Sequence, residues 1–287
     1  ADLHYNNPVR GKSEILMAMA AGVQSWSVDD LGELEKLATL GAKGEVSVRF
    51  KLPVAGAAYN FGSKFGAEES EAIFLLQRAA ALGFAPALTF HVGTQCADPA
   101  AWTTYIHAAA RIAQKAGITI KRLNVGGGFP ALRHGAATDL GPYFAAIETA
   151  MAVFETRPAL VCEPGRAMVA DSFGYAVQVK SVRKGRVYLN DGIYGGLSEF
   201  PNMDVPDFTL VRSAAVETPA RTEEFVAFGP TCDSIDRLPG TLSLPSDIAE
   251  GDYLLFWSTG AYLNGVTTLF NGYGARDTVF VASLPRK

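Results

Sequence analysis

The 287-residue sequence lacks the features of several protein classes. It contains no run of about 18 or more apolar residues, which argues against a membrane-spanning helix. Its 25 lysine and arginine residues are outnumbered by 29 acidic residues, so the basic excess typical of nucleic-acid-binding proteins is missing. Cys96, Cys162 and Cys232 are too few and too scattered for a disulfide framework or a zinc site. We therefore expect a folded cytoplasmic protein that binds a small molecule and needs no metal ion.

The beginning of the chain also lacks the usual features of an N-terminus. It has neither an initiator methionine nor the charged, then apolar, then small-residue series of a secretory signal. The first residues, ADLHYNNP, enter a predicted strand almost at once. We therefore expect that the chain is not intact at this end.

The first half of the chain alternates short apolar segments with longer amphipathic ones. Six of the apolar segments are predicted strands: DLHYNN, SWSVD, EVSVRF, LTFHVG, RLNVGGG and LVCEPG. Between them, Asp30 and Glu33 have the spacing of a capping box, and apolar residues from Trp102 to Ala113 recur every three or four positions. A repeated strand and helix pattern predicts a parallel sheet.

Polar and glycine residues follow the apolar cores of several of these strands, as in HVGTQ, VGGGFP and EPGR. In a (β/α)8 TIM barrel the active site is built at the carboxyl ends of the strands, so this placement favours a barrel. The chain supplies six of the eight strands that a barrel needs. We therefore expect two βα units to be missing before Ala1.

The pattern changes after about Asp171. YAVQVKSVRKGRVYLND, EEFVAFGP, GDYLLFWSTGAYL and DTVFVASL alternate apolar and polar residues without convincing helices, which predicts an antiparallel β domain. The stretch Gly195 to Arg221 is rich in proline, aspartate and serine, and we expect a long functional loop or a short helix there. The predicted domains are therefore a barrel over 1–170 and a C-terminal β-barrel or sandwich over 171–287.

Three consecutive glycines, Gly126 to Gly128, follow the fifth predicted strand. Glycines give up side-chain packing, and they leave backbone N–H groups that can bind a phosphate at a strand-to-helix turn. The simpler alternative is a tight turn that needs a positive φ angle. The triplet alone does not decide between the two.

Glu163 and Arg166 follow the sixth predicted strand, separated by Pro164 and Gly165, which predict a sharp turn. Arginine binds phosphate well because its planar fork matches two oxygens, and a nearby carboxylate could pair with a protonated ring nitrogen of a cofactor. The alternative is a surface ion pair worth about 0–1 kcal/mol.

Three further residues are candidates whose individual signals are weak. His91 emerges from an apolar strand, where it could stack on a planar cofactor or be an ordinary hydrogen-bonded core residue. Cys232 lies in the turn-like FGPTCDSID and could be reactive or simply a small buried side chain. The hydroxyl of Tyr262 could bind a phosphate.

Taken together, these motifs resemble the fold-type III pyridoxal-phosphate decarboxylases, the family that acts on ornithine, lysine, arginine and diaminopimelate, with ornithine decarboxylase the most similar member. The matching runs extend in order over nearly the whole chain: HYNNPV, SVDDLGELEKLA, SVRF, SKFG, FHVGTQ, NVGGGFP, EPGR, NDGIYG, FGPTCDSID, GAY and FNGY. The resemblance implies an alanine-racemase-like barrel with a C-terminal β domain, as the chain pattern also predicts.

The resemblance further implies a cofactor, pyridoxal 5′-phosphate, and a role for each matching position. Glu163 would keep the pyridine nitrogen protonated, His91 would stack on the ring, and Arg49 would belong to a supporting network. Cys232 would help to return a proton to Cα after CO2 has left. The phosphate would be bound by Gly126, Gly127, Gly128, Thr94, Gly165, Arg166 and Tyr262.

For the substrate, the resemblance implies decarboxylation of L-ornithine to putrescine in polyamine biosynthesis. Carboxylates would surround the distal ammonium: Asp233, and Asp207 with Asp204 as the alternative in a loosely aligned loop. Tyr194 would also bind the substrate. The motif GPTCD favours ornithine, because diaminopimelate decarboxylases tend to carry a Cys-Glu-Ser type motif there. Dual specificity for lysine and ornithine is an alternative, since one methylene is worth only about 1–3 kcal/mol.

The resemblance also implies a homodimer with shared active sites, in which Asp233 reaches the neighbouring subunit and Lys64 pairs with Asp236 between subunits. One feature departs from the family pattern. The lysine that forms the Schiff base with the cofactor has no match in this chain, and its strand would precede HYNNPV. The missing lysine and the two missing strands are therefore expected to belong to one lost N-terminal segment. A non-catalytic homologue similar to antizyme inhibitors is a second alternative.

Overall fold

The computed structural model describes residues 2–53, 56–59, 61–131, 138–215, 220–274 and 277–282. These residues form two compact units. The first contains the chain up to Pro130 together with Asp139–Pro164, and the second begins at Gly165. Within the described residues, no helix combines the length and apolar character needed to cross a bilayer.

The first unit is a parallel β/α structure. Its six strands are hydrogen-bonded in sequence order, and every neighbouring pair is parallel. This confirms the six predicted strands and the parallel β/α arrangement expected of a TIM barrel. The elements are β1 (His4–Tyr5), α1 (Lys12–Ala20), β2 (Ser25–Val28), α2 (Leu31–Thr39), β3 (Glu45–Arg49), α3 (Glu69–Ala81), β4 (Ala85–Thr89), α4 (Ala100–Ala116), β5 (Arg122–Asn124), α5 (Gly141–Ala150) and β6 (Ala159–Val161).

Local sequence explains where helix α2 begins and where helix α4 ends. The Asp30 carboxylate accepts hydrogen bonds from the backbone N–H groups of Gly32, at 2.7 Å, and Glu33, at 3.3 Å, so Asp30 caps α2 as predicted. The Glu33 carboxylate does not complete a capping box; it accepts a hydrogen bond from Lys36. Helix α4 ends at Gly117, whose φ of 68° is the left-handed conformation that glycine adopts at low cost.

The second unit contains α6 (Gly165–Val169), β7 (Tyr175–Arg183), β8 (Arg186–Leu189), β9 (Phe208–Val211), β10 (Thr222–Phe228), β11 (Leu242–Pro245), β12 (Tyr253–Phe256) and α7 (Leu263–Val266). Its six strands form one sheet with the order β11-β10-β8-β7-β12-β9. Strands β7 and β8 form an antiparallel hairpin, and Lys184 and Gly185 at its turn both have positive φ.

Three details of this unit differ from the sequence prediction. Strands β8 and β10 are parallel, so the sheet is mixed and not wholly antiparallel. The predicted loop between Gly195 and Arg221 contains a short 3-10 helix, Phe200–Asn202, and also the strand β9, which pairs with β12. The described part of DTVFVASL, residues 277–282, is not a strand. Phe280 is 93% exposed, so the apolar residues of this alternating segment are not packed in a core.

Candidate active site

The candidate site of the first unit lies at the carboxyl ends of its parallel strands. Because these strands all run in the same direction, the residues that follow them meet at one edge of the sheet. Asn6 follows β1, Arg49 ends β3, and His91 comes two residues after β4. Asn124 ends β5, and Glu163 comes two residues after β6.

Glu163 is held in place by two side-chain amides. The Nδ2 groups of Asn6 and Asn124 both donate to Glu163 Oε1, at 2.8 Å and 2.6 Å. The backbone N–H of Glu163 donates to the carbonyl oxygen of Gly126 at 2.7 Å, and the N–H of Gly126 donates to Asn124 Oδ1 at 2.9 Å. Asn124 therefore connects the first glycine of the triplet to the acid, and the exposed carboxylate has a fixed direction.

Arg49 is a cation that interacts electrostatically with Glu163. Its guanidinium lies over the ring of Phe65, 5.3 Å from the centroid. Burial lowers the pKa of Arg49, while the negative charges of Asp29 and Glu163 raise it. The negative charge of Glu163 thus favours the charged form of the buried Arg49, as expected for a supporting network.

His91 is neutral and has a defined tautomer. Its Nδ1 accepts a hydrogen bond from the backbone N–H of Gly93 at 3.0 Å, so the proton of the neutral ring is on Nε2. Burial, followed by the positive charge of Arg49, lowers the pKa of His91 to about 4. Phe61 packs edge-on against the imidazole, with 4.7 Å between the ring centroids. The side chain is therefore a fixed, uncharged aromatic ring.

The glycine triplet is required by close packing of backbone. Gly126 and Gly128 have φ angles of 65° and 90°. A Cβ atom at the three positions, Gly126–Gly128, would lie 2.2 Å from the carbonyl oxygen of Phe90, 2.7 Å from that of Glu163 and 2.1 Å from that of Gly93, respectively. Loops that follow neighbouring strands thus approach the bare backbone, and the conformational explanation of the triplet holds. Its role in phosphate binding stays a prediction.

Thr94 is also placed by backbone contacts. Its N–H donates to the carbonyl oxygen of Tyr59 at 2.9 Å, and its own carbonyl oxygen accepts from the N–H of Ala58 at 2.8 Å. The residue is buried. Its assignment as a phosphate ligand remains a prediction.

In the second unit, Arg166 and Tyr262 lie together. The Arg166 guanidinium is 4.9 Å from the centroid of the Tyr262 ring. The guanidinium also forms a bidentate ion pair with Glu199, in which Nη1 donates to Oε2 at 2.9 Å and Nη2 donates to Oε1 at 2.5 Å. Gly165 begins the short helix that carries Arg166. The two predicted phosphate ligands of this unit are thus neighbours, and an acid that the sequence analysis did not select joins them.

Three other predicted residues form a second group in this unit. The Tyr194 hydroxyl donates to Asp233 Oδ2 at 2.5 Å, and the backbone N–H of Ile235 donates to Asp233 Oδ1 at 3.0 Å. These hydrogen bonds, with Tyr194 first, lower the pKa of the Asp233 carboxyl. Asp233 and the exposed Cys232 both line a cavity of about 420 Å³ on the face that carries Tyr188 and Phe228. Two predicted substrate ligands and the predicted proton donor are therefore close together.

The remaining predicted acids differ in burial. Asp204 and Asp207 are exposed, and the carbonyl oxygen of Asp207 accepts from the N–H of Trp257 at 3.0 Å. Asp236 is only 1% exposed; its carboxylate accepts from the backbone N–H of Ile193 and from the N–H and hydroxyl of Thr231. This burial argues against the ion pair between subunits that was expected for Asp236.

The sequence analysis missed three residues that orient the predicted ones. Asn6 and Asn124 orient Glu163, and Glu199 contacts Arg166. Asn124 directly precedes VGGG, and Asn6 lies in HYNNPV, so both could have been selected as polar residues at strand ends. Glu199 carries no such signal, because it does not directly follow any predicted strand.

These groups fit pyridoxal 5′-phosphate chemically. A fixed carboxylate can pair with a protonated ring nitrogen, and a neutral imidazole can pack on a ring without repelling that proton. An arginine next to a tyrosine hydroxyl can bind a phosphate. The assignment of these residues to the cofactor remains a prediction: Glu163, His91 and Arg49 in the first unit, Arg166 and Tyr262 in the second.

The neutral state of His91 gives a pH prediction. The pKa of the imidazole is about 4 in the folded protein, whereas an unperturbed histidine has a pKa of 6.5, so the unfolded chain binds more protons between these values. Stability should therefore rise with pH across this window. In His91→Gln, the rise should be smaller. NMR titration of the wild-type ring near 6.5 would contradict the assignment.

Comparisons with known proteins identify the family. Residues 1–170 match the model of the pyridoxal-dependent decarboxylase family, pyridoxal binding domain. Ornithine decarboxylase of Mus musculus is 29% identical over 98% of this chain, which spans 66% of the length of the mouse enzyme.

Solved structures extend the likeness. The arginine decarboxylase of Paramecium bursaria Chlorella virus, bound to agmatine, matches 95% of this chain and 75% of its own with a TM-score of 0.84 and 28% identity. The lysine/ornithine decarboxylase of Vibrio vulnificus, complexed with cadaverine, matches 97% of this chain and 75% of its own with a TM-score of 0.80 and 27% identity. The chain therefore belongs to the family of pyridoxal-dependent decarboxylases, whose cofactor is pyridoxal 5′-phosphate.

Proposed function

We propose that the protein decarboxylates a basic amino acid, with L-ornithine preferred and putrescine as the product. The observation that carries this proposal is the anchored carboxylate of Glu163 at the carboxyl edge of the sheet, beside a neutral His91. We place the reaction in the cytoplasm and in polyamine biosynthesis. The division of the chain into a cofactor-binding barrel over 1–170 and a β domain over 171–287 is part of this proposal.

The cofactor, when bound, supplies a protonated pyridine ring that accepts the electron pair left at Cα when CO2 departs. In this scheme Glu163 would hold the proton on the ring nitrogen, and His91 would pack against the ring. Arg166 and Tyr262, with Thr94, Gly165 and the glycine triplet, would bind the phosphate. Cys232 Sγ would donate its proton to Cα, and the resulting thiolate would take up a proton from water.

The distal ammonium of the substrate needs a carboxylate, because a buried cation without one is costly. Asp233 meets this need, and its hydrogen bond from Tyr194 fixes the carboxylate. Asp207 supplies a second acid, with Asp204 as the alternative. Both lie in the segment directly before β9, which the resemblance aligns loosely, and a panel of substrates decides among ornithine, lysine and arginine.

We also propose that the protein is a homodimer in which Cys232 and Asp233 serve the active site of the partner subunit. The support is the family resemblance together with the exposure of Cys232. A buried thiol could not reach a second subunit without rearrangement.

The substrate panel is the direct test. When ornithine, lysine, arginine and diaminopimelate are offered separately to the intact full-length protein with pyridoxal 5′-phosphate, we expect the highest kcat/KM for CO2 release from ornithine. Glu163→Gln should lower kcat/KM by about 100-fold or more, because the ring nitrogen loses its negative partner. Product analysis by mass spectrometry distinguishes putrescine, cadaverine and agmatine.

Glu148→Gln is the matched control for this test, because Glu148 forms a two-pronged ion pair with Arg157 that is exposed and away from strand ends. Its activity should equal that of the wild type. Absence of turnover with all four substrates would refute the enzyme proposal and favour a non-catalytic homologue. A higher kcat/KM for lysine or arginine would refute the ornithine preference alone.

The two asparagines that hold Glu163 should matter for turnover. Asn124→Ala and Asn6→Ala should each lower kcat by about tenfold, equivalent to about 1.4 kcal/mol, because the carboxylate loses a hydrogen bond that fixes its direction. KM should change little, since neither amide is proposed to contact the substrate. Asn7→Ala is the control, because the Asn7 side chain caps only its own turn. Unchanged kcat in both variants would contradict the positioning role.

Mixed dimers test the shared site. Glu163→Ala and the double variant Cys232→Ala, Asp233→Ala should each be inactive. When the two are co-expressed, about a quarter of all sites should combine intact residues from both chains, and activity should return to about that fraction. Mixed dimers that stay inactive, with each parent dimer correctly folded, would show that each subunit builds its own site.

A further inference from the structure

The guanidinium of Arg166 is nearly enclosed. Its side chain is 8% exposed, while the side chain of its partner Glu199 is 23% exposed. Each terminal nitrogen of Arg166 donates to a different oxygen of the Glu199 carboxylate. The Tyr262 ring packs on the guanidinium. A charged group this deeply placed needs a counter-ion, and Glu199 supplies it.

The Glu199 carboxylate occupies the N–H groups of Arg166 in the way that the proposed ligand, a phosphate, would occupy them. Arginine holds carboxylates and phosphates through the same pair of parallel N–H···O bonds. Two oxygens of a phosphate group on Arg166 would therefore need the N–H groups that Glu199 uses. A phosphate near Arg166 would also be repelled by the Glu199 charge, because both are negative and both are attracted to one cation.

The position of Glu199 in the fold also allows its side chain to move away from Arg166. It directly precedes the short helix Phe200–Asn202, outside the sheet, and it is half-buried. Arg166, in contrast, is buried within helix α6. Displacement of the ion pair would therefore expose the acid to water and leave the arginine in position.

We propose that Glu199 competes with the cofactor phosphate for Arg166 and so sets the affinity for the cofactor. This inference rests on the proposed function, in which Arg166 is a phosphate ligand. Without the cofactor, Glu199 neutralises the buried arginine and stabilises the second unit. When the cofactor binds, the same carboxylate opposes binding of its phosphate. Glu199 therefore stabilises the cofactor-free protein and lowers its affinity for pyridoxal 5′-phosphate.

The two roles have opposite signs, which makes the proposal testable. Glu199→Gln should bind pyridoxal 5′-phosphate about fivefold more tightly than the wild type, as expected for the loss of one competing ion pair. The Kd is measured by the quenching of tryptophan fluorescence. Pyridoxal, which has no phosphate, should bind both proteins equally. In the absence of cofactor, the Tm of Glu199→Gln should be lower than that of the wild type.

Two variants complete the experiment. Glu148→Gln, which breaks the exposed pair with Arg157, should change neither the Kd nor the preference for phosphate. Glu199→Asp keeps the charge one methylene further from Arg166 and should give a Kd between those of the wild type and Glu199→Gln. A Kd that is unchanged or higher in Glu199→Gln overturns the proposal.

Arg166→Met separates failure of this inference from failure of the proposed function. If the wild type binds pyridoxal 5′-phosphate and Arg166→Met binds it more weakly, the phosphate role of Arg166 holds, and the Glu199 variants alone decide the inference. If Arg166→Met binds the cofactor as well as the wild type, both the phosphate role of Arg166 and the competition fail. If the wild type does not bind the cofactor, the proposed function itself fails.

Discussion

Parallel strand pairing is the constraint on which the rest of the first unit depends. Six strands that run in one direction bring their carboxyl ends to one edge, so short polar segments far apart in sequence become neighbours. Asn6 and Glu163 are 157 positions apart, yet their side chains are hydrogen-bonded. Trp26, Val28, Val46 and Val48, the apolar side chains of β2 and β3, are fully buried, so the core of the sheet is packed independently of the polar groups at its edge.

Backbone packing at this edge explains the glycine triplet. A Cβ atom at Gly126 or Gly128 would lie about 2 Å from a carbonyl oxygen in the loop after β4. The loops after β4, β5 and β6 can therefore approach each other only where side chains are missing. The triplet sets the spacing of these loops, and through the bond between Gly126 and Glu163 it also sets the position of the acid.

Much of this could be predicted from the sequence, because the strongest signals are local. Alternating strands and helices, the Asp30 cap and the polar residues after each strand are all readable within a few positions. The parallel pair β8 and β10 could not be predicted, because strand partners are chosen by tertiary packing and not by the alternation within each strand. The same limit applies to residues 277–282, where an apolar alternation is present but no burial supports a strand.

The side chains around Glu163 show why neutral partners suit this position. An arginine bonded directly to the carboxylate would fix it equally well, but it would neutralise the charge that a protonated ring nitrogen needs. Asn6 and Asn124 fix the direction of the carboxylate without adding a charge. Arg49 acts from further away, and its charge also helps to keep His91 neutral. In the second unit, Arg166 has the opposite arrangement: a cation bonded directly to an acid. Neutral amides thus orient the acid in the first unit, whereas in the second unit an acid balances the charge of the buried arginine, so any other anion that binds Arg166 has to compete with Glu199.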